Sequence, residues 1–227
     1  TFAATNALRT KGTDNLFAAA SGCGVRRFVA ASYTGWPYAR VGGPIKSETD
    51  PLDPQPPIQQ RASLAAIKHM EEVTLSAPLV GVVLRYGMFY GPGASEEMVA
   101  AIRKRMLPVV GNGGGVWSML HVDDAASAVV AALDAGEGVY NIVDDEPTRT
   151  GELIPELAAI VGAKPPRHVP VWLGRLLAGE AVVSMLTQAR GASNAKASRE
   201  LNWTPTCSSW RDRFRHGRTP RYQGADL

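Results

Sequence analysis

Val82-Val83-Leu84-Arg85-Tyr86-Gly87-Met88-Phe89-Tyr90-Gly91-Pro92-Gly93 is the stretch whose reading decides the fold. It begins as a short apolar run without helical period and breaks into glycine, aromatic residues and proline. That is the pattern of a buried parallel strand ending at a ligand-facing edge. Ligands of open α/β sheets bind beyond the carboxyl ends of strands, which would turn Tyr86, Gly87, Phe89 and Tyr90 toward the chemistry. Upstream, Phe28-Val29-Ala30-Ala31 is an equally short apolar strand, ending at Ser32-Tyr33-Thr34-Gly35.

Helical patterns separate the strands. Leu16, Phe17 and Ala20 fall at helical spacing from Thr13, with Gly22 and Gly24 as stop signals. Ser63, Ala66, Ile67, Met70, Val73 and Thr74 form the buried stripe of an amphipathic helix, with Lys68 to one side. A helix is expected around Glu96 to Arg105, a strand over Trp117 to Val122, and then a helix with Ala126, Val129, Val130 and Leu133 inward. Asp123 and Asp124 stand at its start, where carboxylates cap free amides. Val139 to Val143 reads as a strand and Leu153 to Val161 as an amphipathic helix. Val171 to Thr187 is apolar on most sides, as in a buried or interface helix. Such alternation predicts an α/β fold with a largely parallel sheet. The connection from Trp36 to Pro57, dense in Pro and Gly, reads as a functional loop or lid.

Composition narrows the function classes. A net charge of +3 over 227 residues gives no basis for binding nucleic acid or an anionic membrane. Arg211, Arg213, Arg215, His216, Arg218 and Arg221 read as a solvated tail, and Asp144-Asp145-Glu146 as a solvated turn. Cys23 and Cys207 have no metal-ligand partners at motif spacing, so no metal is expected and a reducing, cytoplasmic setting fits. The apolar stretch Val169 to Leu186 is interrupted by Arg175 and Glu180 and fails as a membrane span. Arg103, Lys104 and Arg105 suit either a substrate diphosphate or a polar helix face.

The order of landmarks resembles the extended short-chain dehydrogenase/reductases, the NAD-dependent epimerase and dehydratase group. The matches are Gly12-Thr13, Gly24-Val25, Arg27-Phe28-Val29 leading to Ser32, Leu84-Arg85 before Tyr90-Gly91-Pro92-Gly93, His121-Val122-Asp123-Asp124, Tyr140-Asn141-Ile142, and Leu201-Asn202-Trp203-Thr204-Pro205. The resemblance implies the C-terminal part of a Rossmann-type parallel sheet plus a smaller α/β substrate lobe. Residues 1–92 would be a partial dinucleotide-binding domain and 93–227 mostly substrate lobe, with segments around 116–135 returning to the sheet. It also implies bound NAD or NADP, a small-molecule substrate and oxidoreductase, epimerase or dehydratase chemistry on a carbonyl or sugar-like compound, and leaves room for a homodimer.

Two departures stand out. No glycine-rich turn follows a first strand, so the chain reads as truncated ahead of the part that would hold the cofactor phosphates. The family reaction uses a tyrosine and a lysine four residues later, so that the ammonium lowers the phenol pKa and bonds the nicotinamide ribose. Lys68 matches that lysine, but Leu64 occupies the tyrosine position. Tyr33, Tyr38 and Tyr86 are the substitute phenols, and Ser32 or Thr34 the hydroxyl. By resemblance Ala31, Ser32, Lys68, Tyr86, Gly87 and Phe89 line the cofactor, while Tyr90, His121 and Arg105 face the substrate. A second class stays open: a non-catalytic, nucleotide-binding sensor or partner-binding protein of the same fold.

Overall fold

A computed structural model describes residues 2–76 and 78–216. The chain enters through a helix that changes pitch, α1 (Ala3–Ala7) passing through a π-helical turn at Leu8–Gly12 into α2 (Thr13–Gly22). β1 (Arg27–Tyr33) is longer than its apolar centre because Ser32 and Tyr33 continue the ladder. The long connection carries β2 (Ile45–Lys46) and leads to α3 (Ile58–Thr74) and β3 (Val80–Tyr86). Gly87 alone separates β3 from β4 (Met88–Tyr90). Next come α4 (Glu96–Arg103), β5 (Val109–Val110), β6 (Val116–Trp117), β7 (Met119–His121) and α5 (Val122–Asp134). The chain closes with β8 (Gly138–Ile142), β9 (Thr148–Arg149), α6 (Thr150–Ile160), β10 (His168–Val169), α7 (Val171–Thr187), β11 (Gly191–Ala192), α8 (Ala195–Glu200) and α9 (Trp210–His216).

Among the described residues the main sheet has the order β1-β3-β8 and is parallel throughout. Ala30 pairs with Val83, Tyr33 with Tyr86, and Leu84 with Tyr140. Val82, Val83 and Leu84 are fully buried, which is why their sequence shows no alternation. Each contributes about 1.5–3 kcal/mol of transfer free energy. α5 packs Ala125, Ala128 and Ala132 against Val82, Leu84, Tyr86, Tyr140 and Ile142, and the small residues bring the helix close, so the predicted inner residues Ala126, Val129, Val130 and Leu133 are on the exposed side instead. α3 covers the other face, and its Glu71 reaches both Ser32 and Arg85.

The second lobe is stitched from two-stranded ladders: β4 with β7, β5 with β10, and β2 with β11 in parallel, and β6 with β9 antiparallel. Its core joins Met119, Leu153, Ile154, Leu157, Val183, Leu186 and Trp210. Gly113, at φ 58°, lies on Gly151 so closely that any Cβ would collide with its backbone.

Several readings change on inspection. The predicted strand from Trp117 to Val122 divides: Ser118 leaves the ladder, its hydroxyl accepting from the Ala192 N–H at 2.9 Å, and Val122 already begins a helix. The predicted helix from Val171 is two helices meeting at Gly179 (φ 83°, ψ 165°). Trp172, Leu176 and Leu177 are exposed before the kink, whereas Val183 and Leu186 are buried after it, so no single stripe emerges. Asp144 is not in a solvated turn but 1% exposed. Nor is the basic segment merely solvated: Arg211 pairs with Glu146 and Glu156, and Arg215 with Glu156. Arg218 and Arg221 lie outside the described residues. No helix among the described residues is long and apolar enough to cross a membrane.

Candidate active site

The carboxyl ends of β1 and β3 meet where the sequence placed them. The Thr34 N–H donates to the Tyr86 carbonyl at 2.9 Å, so the two strand ends stay in register for one residue beyond the ladder. Alternation then sorts the side chains. Ser32 and Arg85 face α3, while Ala31, Tyr33, Leu84 and Tyr86 belong to the opposite face.

A buried polar network occupies the α3 side. Arg85 grips Glu71 with two parallel bonds, Nε to Oε1 at 2.8 Å and Nη2 to Oε2 at 2.5 Å, and both side chains are 7% exposed. Ser32 donates to Glu71 Oε1 at 2.6 Å, so its hydroxyl is committed inward. Arg85 Nη1 donates to the Tyr38 hydroxyl at 3.0 Å, and Tyr38 in turn donates to Asn141 Oδ1 at 2.7 Å. The Asn141 N–H donates to Glu48 at 2.8 Å, tying in the long connection. Burial alone would lower the Arg85 guanidinium, but the hydrogen bonds and charge of Glu71 outweigh it and hold the group above its ordinary value.

On the opposite face α5 covers Leu84 and Tyr86, while Ala31 is exposed and Phe89 is 43% exposed with its ring 5.5 Å from Tyr86; Lys68, on α3, is half-buried one turn before Glu71 and has no ion pair among the described residues. Thr34 is 1% exposed and its Oγ1 has no partner. Burial pushes the Tyr33 and Tyr86 phenols up to about 12, and raises Tyr38 despite the nearby Arg85. Leu64 is 3% exposed, inside the core. The bareness of Gly87 is used by the protein itself, since a Cβ there would stand 2.6 Å from the Ser118 carbonyl oxygen.

Tyr90 and His121 pair across β4 and β7, each 1% exposed, with ring centroids 5.2 Å apart at 75°. Arg105, at φ 55°, donates from Nε to the Pro165 carbonyl at 3.0 Å. Asp124 does not cap its helix. Its Oδ1 accepts from the Thr206 N–H and hydroxyl, and its Oδ2 from the Cys207 N–H, which pins the C-terminal segment. The helix is capped instead by His121, whose Nδ1 accepts from the Asp123 N–H at 3.3 Å.

At the β1–β3 strand end the unpartnered Thr34 hydroxyl and the exposed Phe89 ring, which rests against Tyr86, suit the polar and apolar parts of a nicotinamide nucleotide. Glu71 is the site-supporting residue that motif reading passed over. Its signal was an arginine in the middle of an apolar strand, which demands a buried partner.

Residues 3–143 match the family described as NAD dependent epimerase/dehydratase. A 3-diazoavenalumate denitrifying reductase from a Streptomyces species is 41% identical over 217 residues, covering 93% of this chain and 71% of that protein. A human epimerase family protein solved with NADPH superposes with a TM-score of 0.76 at 16% identity, over 92% of this chain and 71% of its own. UDP-glucose 4-epimerase of Thermotoga maritima, solved with UDP-glucose, gives 0.70 at 25% identity, over 92% and 68%. With the parallel sheet, the strand-end opening and the matched sequence in agreement, the chain belongs to the NAD-dependent epimerase/dehydratase family.

Proposed function

We propose that the chain carries the nicotinamide side of an NAD(P)H-dependent reductase whose acceptor takes up hydride without leaving an oxyanion to be protonated. One observation supports this reading: Leu64, which by resemblance takes the place of the proton-delivering tyrosine, is buried in the core. No neighbouring phenol is a ready replacement. Tyr33 and Tyr86 are weakened as acids by burial, and Tyr38 is held between Arg85 and Asn141. When bound, the nicotinamide supplies the hydride. Lys68 would bond its ribose, the Thr34 hydroxyl would orient the substrate, and Ala31, Ser32, Tyr86, Gly87 and Phe89 would form the floor and wall.

Carbonyl reduction generates an alkoxide, which is why a phenol kept acidic by lysine serves that reaction. A diazonium group is different. Hydride added to its terminal nitrogen cancels a positive charge, and dinitrogen then leaves as the hydrogen passes to carbon, so no oxyanion forms. The relative named as a denitrifying reductase of a diazo acid supports this acceptor class. In the same reading residues 93–227 supply mostly the substrate lobe.

The same leucine also suits a binding-only sensor. Titration of the protein with NADPH and NADH, followed by assays against aryl diazonium acids and against carbonyls and nucleotide sugars, separates the readings. The expected result is cofactor binding with dinitrogen release from the diazonium acid alone. Comparable turnover of carbonyls would overturn the acceptor class, and binding without turnover of any substrate would establish the sensor.

A further inference from the structure

We propose that His121, Asp124 and Cys207 form a zinc site that fastens the C-terminal segment to the β7–α5 junction. A donor atom from each residue lies within 4.8 Å of the other two, and the residues differ in kind: an imidazole, a carboxylate and a thiol. Mixed nitrogen, oxygen and sulfur donors suit a borderline-soft cation and tetrahedral geometry, with bonds of about 2.0–2.3 Å. Small side-chain movements close the remaining gap.

The surroundings point to a missing partner. His121 is 1% exposed and its Nε2 is unpartnered. Tyr90, which sets its ring edge against His121, is 1% exposed with an unpartnered hydroxyl. Asp144 is 1% exposed with Oδ2 unpartnered. Orphaned buried polar atoms are rare because each costs about 1–3 kcal/mol. Three around one donor cluster mark a place built for something more.

The supporting shell is also present. Thr206 and the Cys207 N–H hold the Asp124 carboxylate, leaving Oδ2 a free lone pair. Zinc would displace the thiol proton and bind the sulfur, with no change of oxidation state. Its consequence is mechanical: the segment carrying Trp203 and Trp210 would be clipped to the sheet.

The test is metal content of the full chain after exposure to zinc and exhaustive dialysis, with cobalt(II) substitution as an optical probe. One zinc per chain and a thiolate-to-cobalt charge-transfer band are expected, and Cys207→Ser should abolish the band and weaken zinc by about 100-fold or more. Cys23→Ser should change neither. Sub-stoichiometric metal, or one metal without the thiolate band, overturns the site, and ordered water would then be what satisfies the three atoms.

Discussion

Among the described residues, the buried polar clusters around Arg85 and around Tyr90 are finished to different degrees. Around Arg85, charge meets charge: Glu71 takes two bonds from the guanidinium and one from Ser32, while Tyr38 links the group to Asn141, whose Nδ2 alone in this group lacks a partner. Around Tyr90, by contrast, a phenol, an imidazole and a carboxylate each retain a buried atom without a partner. A nearly closed network holds a strand end rigid, whereas an open one is poised for an occupant. The first therefore belongs to the scaffold of the strand-end opening and the second to whatever fills it.

The sharpest way to break the contrast is to remove one member of the closed pair. Glu71→Ala should cost about 3–5 kcal/mol in chemical denaturation, because it strands a buried guanidinium. A smaller effect is expected at Asp144, whose carboxyl is pushed up to about 8, first by burial and then by Asp145. That folded value lies above the unfolded one, so the folded chain holds the extra proton between about pH 4 and pH 8. Stability should fall as pH rises through this window. Asp144→Asn should flatten the slope in metal-free buffer and stabilise the chain by about 2 kcal/mol above pH 8. The finest comparison deletes the same oxygen twice. Tyr38→Phe should cost about 1.5–3 kcal/mol, since it abandons Arg85 and Asn141. Tyr90→Phe in metal-free protein should be neutral or stabilising by up to about 1 kcal/mol. Equal losses at both positions would dissolve the distinction.

What the sequence disclosed followed from local pattern. Val82 to Leu84 and Phe28 to Ala31 announced two parallel strands, and they pair residue for residue. The stripe of α3 was legible because Ser63, Ala66, Ile67, Met70 and Thr74 face one way. Glu71 was passed over although it stands one turn from Ile67 on that buried side, since a carboxylate inside makes sense only once Arg85 is known to oppose it. The cluster at His121 was out of reach for another reason: Cys207 lies 83 residues from Asp124, and no spacing rule spans that distance. α7 misled because its period was read across Gly179, where the backbone turns through a positive φ and starts a second helix with a different face inward. Thr34 and Lys68 were named from resemblance; Thr34 stands at the strand end through the same β1–β3 register that the apolar runs predicted, whereas Lys68 is carried on α3.

The junction at Gly87 has a consequence for how such an enzyme can change its repertoire. Its N–H donates to Ile142 in the main sheet at 3.0 Å, and the next N–H, from Met88, donates to Ser118 in the other lobe at 2.8 Å. With one residue between those anchors there is no slack for a hinge, so the lobes cannot be re-aimed as rigid halves. New specificities must come from exchanging the loops that rim the opening, while the seam itself tolerates nothing larger than hydrogen.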